Sequence, residues 1–436
     1  MHKLSPKQEQ RKLRDREEVI SLTQKLVQIP SVYRPGTKDG NEEKVALFVA
    51  DYLEKLGIKA HIEYVEEGRP NVIGIVDSGK PGKTLLFEGH TDVVTEGDPE
   101  AWDDPPFAAV IKEGRMYGRG TNDTKGNLAC MITAVHSILR DNESFTGKIL
   151  LCIPCDEEGM MIGIKNFIKR GWAKGVDAAI ICEPEENQLC ISQKGAMRVI
   201  VRTYGKMAHG AMPLSGVNPN TRMAKVICEL DRYEQLEKER LGCHPELGWP
   251  SVTPTILQAP VKGDPQINVV PNECMTTLDI RTVPGQDHET IKRDIQSILD
   301  YLKQADPDFK ASFEVIEDRP WTETSRTESV VKSLAFAYKE VTGKEPVYNG
   351  VPGATDGTFL HLEGIPIVTT GAGDREVPHQ INEYVDLDEL AETTEIYRQA
   401  APTFLEQIKR DMSAVSYETA LFIFSLDIMP KSYAKL

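Results

Sequence analysis

Apolar residues in the first half of the chain follow two patterns, one typical of buried strands and one of amphipathic helices. Leu85-Leu86-Phe87 and the apolar positions within 148–154 and 178–182 form short continuous runs, as in strands buried on both faces. Between these runs, residues 125–140 repeat apolar side chains at helical spacing, as residues 42–56 do earlier. Strands alternating with helices predict an α/β core with a mostly parallel central sheet.

The pattern changes near residue 192, where strands with alternating polar and apolar positions take over. Their strand-helix-strand-strand-helix-strand order predicts an α+β, ferredoxin-like domain inserted into the larger one. After Pro320 the α/β pattern returns. We therefore predict a discontinuous larger domain over residues 1–191 and 320–436, and an inserted domain over residues 192–319.

Charge and cysteine content narrow the classes of function. The chain has 51 basic and 67 acidic residues, for a formal charge of −16. Such a surface repels a phosphate backbone, so we expect no nucleic-acid partner. The N-terminal segment lacks the apolar region of a signal peptide, and no apolar run is long enough to span a bilayer. The eight cysteines, mostly in apolar runs, are interpreted as reduced thiols of a cytoplasmic protein without a membrane partner.

Polar residues of the metal-binding type follow four predicted strands. In open α/β sheets, ligands bind at the carboxyl ends of the strands. A lone histidine at such an end is usually structural, but several histidines and carboxylates together favour a metal site. The residues concerned are His90 and Asp92, the acidic run 156–158, Glu183, and His379 in a later loop.

The ligand types suit a pair of divalent metal ions. A glycine-rich segment, residues 118–123, brings Asp123 to the start of a helix between the first two of these sites. Imidazole and carboxylate groups fit Zn²⁺, and a shared carboxylate can hold two ions ~3.5–4 Å apart. Such a pair would lower the pKa of a bridging water and polarise a carbonyl. The reaction would also need a carboxylate that moves protons without binding the metals.

Nine segments in a fixed order carry a family resemblance. They are GHTDVV (89–94), WDDPPFAAVIKEGRMYGRGTNDTKGN (102–127), DEEGM (156–160), CEP (182–184), GKMAHGAMP (205–213), NVVPNE (268–273), DIRTVPG (279–285), GATDGTFL (353–360) and PHQINEYV (378–385). Together they resemble the di-zinc deacylase and peptidase family of acetylornithine deacetylase, succinyl-diaminopimelate desuccinylase, aminoacylase and glutamate carboxypeptidase. The resemblance covers essentially residues 16–410.

The resemblance implies a zinc-peptidase-like catalytic domain and a role for each candidate in it. His90 and Glu183 would bind one metal, Glu158 and His379 the other, and Asp123 would bridge both. Asp92 would accept a hydrogen bond from the His90 ring and fix its tautomer. Glu157 would be the general base that takes a proton from a metal-bridging water. The Asp123–Thr124 peptide bond would be cis.

The inserted domain resembles the lid and dimerisation module of the family, which implies a homodimer. His209 would stabilise the oxyanion, usually in the active site of the partner subunit. Asn268 and Arg281 would bind the carbonyl and carboxylate of the substrate, since Arg suits bidentate carboxylate recognition. Gly353 and Thr355 would contribute a backbone N–H and a hydroxyl to the same group.

The implied activity is metal-dependent hydrolysis of the amide bond of an N-acyl amino acid or similar small carboxylate, with zinc as cofactor and cobalt or manganese as alternatives. A dipeptidase, a glutamate-type carboxypeptidase and hydrolysis of another C–N bond stay open, and so does a non-catalytic binding protein. Two departures matter. Desuccinylases carry an Arg where Thr358 stands, which weakens the case for a succinyl-diaminopimelate substrate, and the tail, roughly residues 414–436, has no counterpart in the resemblance.

Overall fold

The computed structural model describes residues 5–37 and 40–426, with side chains to residue 406. Its helices are α1 (Pro6–Val27), α2 (Glu43–Lys55), α3 (Lys125–Arg140), α4 (Ile162–Lys169), α5 (Pro219–Leu241), α6 (His288–Ala305), α7 (Ser329–Thr342), α8 (Gly357–Leu362) and α9 (Leu387–Leu426).

The strands begin with β1 (Lys59–Glu66), β2 (Arg69–Asp77), β3 (Thr84–Glu88), β4 (Val110–Lys112), β5 (Arg115–Tyr117), β6 (Lys148–Ile153), β7 (Ala178–Ile181), β8 (Leu189–Gln193) and β9 (Gly195–Tyr204). They continue with β10 (Ala208–His209), β11 (Ser251–Gln258), β12 (Val269–Val270), β13 (Glu273–Thr282), β14 (Lys310–Arg319), β15 (Thr322–Glu323), β16 (Tyr348–Val351), β17 (Ile367–Thr369) and β18 (Tyr384–Asp386).

The chain forms two compact units. The predicted boundaries agree with them over most of the chain but assign residues 347–369 to the larger domain, whereas these residues group with the second unit. The predicted domain limits therefore stay a prediction. The first unit is Met1–Asn187, Arg326–Pro346 and Thr370–Leu436, and the second is Gln188–Ser325 and Val347–Thr369.

Strands of the first unit follow the order β1-β2-β6-β3-β7. The central strand β3 is parallel to both β6 and β7, while β1 and β2 add antiparallel pairs at one side. Leu85, Leu86 and Phe87 are fully buried, because β3 has neighbours on both edges and covered faces. The predicted α/β class with a mostly parallel central sheet is confirmed.

Three helices of the first unit, α1, α3 and α9, pack on one another. Helix α1 begins with a capping box, in which Ser5 and Gln8 bond each other's backbone N–H groups. The Phe87 ring lies 5.4 Å from the Tyr397 ring, which joins α9 to β3. Helix α9 extends to Leu426, and the side chains from residue 407 onwards lie outside the described ones.

The second unit contains an antiparallel sheet in the order β11-β13-β9-β14, with helices α5 and α6. Alternate residues of β13 are buried, as in a sheet with one covered face. Val199, Val201, Leu278 and Ile280 belong to its core. Strands β17, β8 and β15 are neighbours in that order, and β16 pairs with β8. The predicted order of strands and helices is thus present in this unit.

No helix within the described residues has both the length and the apolar character needed to cross a bilayer.

Candidate metal centre

The carboxyl ends of three parallel neighbours in the first unit, β6, β3 and β7, lie side by side. Glu88, the last residue of β3, is in register with Cys152 of β6 and Ile181 of β7. The loops that follow therefore leave the sheet at the same edge, where α/β proteins bind ligands. The candidates in these loops are His90 and Asp92, Glu157 and Glu158, and Glu183.

Two further loops of the first unit complete the group. Asp123 lies just before α3, and its peptide bond to Thr124 is cis, as predicted. Gly120 in the same loop has φ +86°, and a Cβ there would lie 2.7 Å from Val93 Cγ1, so glycine is required. His379 lies before β18 and has φ +68°, in the left-handed region.

The Asp123 carboxylate lies between the two candidate histidines. Its Oδ1 is 3.3 Å from Nε2 of His90, and its Oδ2 is 3.3 Å from Nε2 of His379. His90 Nε2 is also 3.6 Å from Glu183 Oε1, and His379 Nε2 is 3.0 Å from Glu158 Oε1. Five predicted ligands thus form two imidazole–carboxylate sets that share Asp123. Ligand atoms of His90, Asp123 and Glu158 also lie within 4.8 Å of one another.

Asp92 contacts both the His90 ring and the loop that carries Glu157 and Glu158. The nearest acceptor for Nδ1 of His90 is the backbone carbonyl of Asp92, at 3.0 Å, whereas the Asp92 carboxylate is 3.5 Å away. That carboxylate instead accepts the backbone N–H groups of Glu157 and Glu158, at 3.1 and 3.0 Å. Asp92 therefore positions both the His90 ring and the loop of Glu157 and Glu158. The sequence indicates only the first of these contacts.

Burial and mutual repulsion raise the pKa of three acidic groups at the centre, Glu157, Glu158 and Glu183. Burial raises the pKa of Glu157 and of Glu183 well above the usual range, and it raises that of Glu158 to about 7. Burial also acts to raise the pKa of Asp123, but the adjacent His379 and His90 rings lower it overall. The hydrogen bonds to Asp123 and Glu158 raise the pKa of His379 to about 10. Negative charge is in excess at this edge.

The residues present fit divalent cations. Nε2 of His90 and Oε1 of Glu183 are buried and make no hydrogen bond to the described residues. Buried polar atoms normally have partners, and an imidazole nitrogen facing carboxylate oxygens is a typical donor set for Zn²⁺. A cation would also offset the repulsion among the carboxylates.

A buried ion pair that sequence reasoning did not single out lies behind the two loops. Arg119 NH1 donates to Glu383 Oε2 at 2.5 Å, and both side chains are buried. Glu383 Oε1 accepts the backbone N–H groups of Gly120, Asn122 and Asp123, at 2.9 to 3.1 Å. The only signal in the sequence was a charged residue inside each of two metal-ligand motifs.

A second group of buried charges supports the loop after β6. Arg69 donates to Glu42 and to Asp156, in each case at 2.5 Å, and stacks on the Tyr33 ring at 3.6 Å. Asp156 also accepts the backbone N–H of Met160. The first acid of the predicted acidic run therefore fixes the loop, leaving the next two for the metal centre.

The remaining candidates lie in the second unit, and their predicted roles stay predictions. His209 of β10 is exposed, and the Gly210 N–H beside it donates to the Asn268 carbonyl at 2.6 Å, so these two segments meet. The Arg281 side chain bonds Asp279 through Nε at 2.8 Å. The Thr355 hydroxyl donates to Gln193 at 2.9 Å, and Gly353 lies two residues before it.

Comparisons with known proteins agree with the site. Residues 86–403 match the family model of peptidase family M20/M25/M40. A probable succinyl-diaminopimelate desuccinylase of Staphylococcus aureus is 27% identical over 412 residues, covering 89% of this chain and 99% of that protein. The N-formyl-4-amino-5-aminomethyl-2-methylpyrimidine deformylase of Bacillus subtilis is 28% identical over 407 residues, covering 87% of this chain and 93% of that protein.

The fold has solved counterparts as well. The crystal structure of an M20 family metallo-carboxypeptidase from Sulfolobus solfataricus superposes with a TM-score of 0.73 at 22% identity, covering 89% of this chain and 99% of that one. The family match spans most of the chain, including the segments that hold His90, Asp123 and His379. The chain therefore belongs to peptidase family M20/M25/M40 and is a metallohydrolase.

Proposed function

We propose that the chain is a di-metal amidohydrolase that cleaves the amide bond of an N-acyl amino acid or a similar small carboxylate. The observation that supports this most strongly is the position of Asp123. One of its oxygens lies 3.3 Å from the His90 ring and the other 3.3 Å from the His379 ring. A carboxylate shared by two imidazoles suits a pair of divalent cations.

In this proposal His90 and Glu183 would hold one cation, Glu158 and His379 would hold the other, and Asp123 would serve both. Zinc suits these nitrogen and oxygen ligands, and cobalt or manganese would accept the same set. Bound there, the two cations would lower the pKa of a water molecule and polarise the scissile carbonyl.

Glu157 would act as the general base and then as the general acid. Burial raises its pKa well above the usual range, although the His90 ring opposes the shift. A carboxyl group whose pKa lies closer to neutrality can both take a proton and return it. Glu157 would remove a proton from the attacking water and deliver it to the leaving amine. The hydrogen bond from its backbone N–H to Asp92 fixes the start of its side chain.

Residues of the second unit would recognise the substrate. We propose that Arg281 binds the substrate carboxylate and Asn268 its carbonyl, with Gly353 and Thr355 beside them. The proton of the Thr355 hydroxyl is already donated to Gln193, so this hydroxyl would act as an acceptor. His209, exposed in its own unit, would stabilise the oxyanion in the partner subunit of a homodimer. The eight cysteines are free, in keeping with a cytoplasmic location.

The size and charge of the acyl group are the least constrained features. Thr358, at the position where desuccinylases carry an Arg, is fully buried and accepts a hydrogen bond from Gln193 at 2.6 Å. This position therefore offers no cation to an acidic acyl group. We favour acetyl or formyl groups over succinyl.

A substrate panel tests the proposal. The purified protein, loaded in turn with zinc, cobalt and manganese, is assayed on N-acetyl, N-formyl and N-succinyl amino acids, N-carbamoyl amino acids and dipeptides. We expect hydrolysis of the short acyl amides to exceed that of the dipeptides. Activity confined to dipeptides would make the chain a peptidase instead.

The control is Glu157→Gln, which should keep the metals and lose turnover. Elemental analysis of both proteins should find two bound ions per chain. A wild-type protein that binds no divalent ion, or that binds two but hydrolyses no amide, would contradict the proposed function.

A further inference from the structure

The buried pair Arg119–Glu383 connects two chain segments of the centre. One segment carries Asp123, which would serve both cations, and the other carries His379, which would serve one. Glu383 Oε1 accepts three N–H groups, those of Gly120, Asn122 and Asp123. The last of these belongs to the residue whose carboxylate lies between the two histidines. The position of that carboxylate is thus tied directly to one oxygen of Glu383.

Arg119 provides the second connection. Its NH1 donates to Glu383 and its NH2 donates to the backbone carbonyl of His379, at 3.3 Å. His379 has φ +68°, a backbone conformation that residues other than glycine adopt only when their surroundings hold them there. The guanidinium group therefore anchors a strained ligand residue at its own backbone.

The two histidines differ in how much they depend on such an anchor. The His90 side chain is 1% exposed and is fixed by packing and by Asp92, whereas the His379 side chain is 53% exposed. Packing alone cannot hold a half-exposed ring, so its position depends on the backbone beneath it. The anchor from Arg119 matters most for the cation that His379 would bind.

We infer that Glu383 and Arg119 are positioning residues: Glu383 holds Asp123, which would serve both cations, and the NH2 group of Arg119 holds His379, which would serve one of them. This inference rests on the proposed di-metal centre. Residues that support metal ligands typically change metal affinity or activity by roughly 10–100-fold when they are replaced.

The test measures zinc binding to apo protein by competition with a chelator, which gives a dissociation constant for each of the two ions. We expect Glu383→Gln to raise both constants by roughly 10–100-fold. Arg119→Lys keeps the positive charge beside Glu383 but lacks the second nitrogen that donates to the His379 carbonyl. It should raise one constant and leave the other within about twofold of the wild-type value.

The matched control is Glu395→Gln. Glu395 also belongs to a buried ion pair of the first unit, but its hydrogen bonds run to Arg11, Arg398 and Gln399. This variant should lose thermal stability and keep both zinc constants. Absorption spectra of the cobalt-loaded proteins provide an independent signature, which should change for Glu383→Gln and not for Glu395→Gln.

Wild-type constants for Glu383→Gln would overturn the inference, as would equal effects of Arg119→Lys on both ions. Should Glu383→Gln fail to fold, Glu383→Asp retains the charge but is one methylene shorter. It is expected to weaken both sites, and unchanged constants in it would also overturn the inference. A wild-type protein that binds fewer than two zinc ions would instead refute the proposed centre itself.

Discussion

Two groups of buried charges in the first unit both contain glutamates but balance them with different cations. Between α1, α3 and α9, the Glu395 carboxylate is bonded by Arg11 and Arg398. Burial alone would raise the pKa of Glu395, but these hydrogen bonds lower it to about 2. At the candidate metal centre, burial raises the pKa of Glu158 to about 7, although the His379 ring lies 3.0 Å from its carboxylate.

The difference shows what each group is suited to do. A buried carboxylate with its own guanidinium partners is charged and fully hydrogen-bonded, and it serves to hold helices together. A cluster of carboxylates with too few cations destabilises the fold around it unless protons or metal ions supply positive charge. The pKa of Glu395 and the pKa of Glu158 thus shift in opposite directions, as expected for a carboxylate bonded by two guanidinium groups and for one within a cluster of acids.

Replacing the proposed general base should give the largest loss of activity. The matching replacement in the helix network should give none. We expect Glu157→Gln to lower kcat by roughly 10²–10⁴-fold, because proton transfer in the transition state is lost. Glu395→Gln should keep kcat close to the wild-type value. Steady-state kinetics with elemental analysis of both variants checks this. A Glu157→Gln protein with normal turnover would remove Glu157 from the mechanism.

Metal removal should affect stability at the centre and leave the helix network unchanged. A ligand present at 100 to 1,000 times its dissociation constant stabilises the folded state by about 2.7–4.1 kcal/mol. Urea unfolding with zinc and with a chelator should therefore differ by about this amount. The same difference is expected in Glu395→Gln, since that residue has no role at the centre. Identical unfolding midpoints with and without chelator would argue against a metal centre.

Breaking the helix network should lower stability in a way that depends on acid. The pKa of Glu395 is lowered from 4.5 to about 2 by its arginine partners, so its contribution is complete above pH 4.5 and is lost as the pH falls towards 2. At pH 7 we expect Glu395→Gln to lower the free energy of unfolding by roughly 2–3 kcal/mol. The gap from wild type should narrow between pH 4.5 and 2. A gap that does not change with pH would show that packing, and not charge, is responsible.

The smallest effect on activity is expected from Asp92→Asn, which tests whether the Asp92 carboxylate positions the loop that carries Glu157 and Glu158. Asp92 accepts the N–H groups of Glu157 and Glu158 with one oxygen each, and asparagine would place an NH₂ donor against one of these two donors. The backbone carbonyl that contacts the His90 ring is retained. We expect kcat to fall by roughly 10–100-fold with little change in zinc content. Loss of zinc without a separate loss of turnover would reverse this assignment.

The sequence was sufficient where the physical signal is local. The limits of β3 and α3 agree with prediction, because a continuous apolar run or a helical stripe ends at clearly polar residues. The group formed by His90, Asp123 and His379 was likewise within reach, since strand ends and a family resemblance both point to it.

The remainder depends on tertiary structure. Nothing local distinguishes Glu383 from a solvated loop acid, and its acceptor role exists only because N–H groups from about 260 positions earlier converge on it. The contact between the Asp92 carbonyl and the His90 ring is equally invisible in the sequence. Whether the ring contacts the carbonyl or the carboxylate depends on the path of the loop.

The separation of Glu383 from the Gly120 amide, 263 positions along the chain, has a consequence for biosynthesis. Chains generally fold from the N-terminus as they leave the ribosome. A nascent chain that has emerged through Glu183 holds the ligands of one proposed cation, while His379 and Glu383 are still to come. Hydrolytic activity would thus arise only after residue 383 has been synthesised, and any product truncated before residue 379 would be inert.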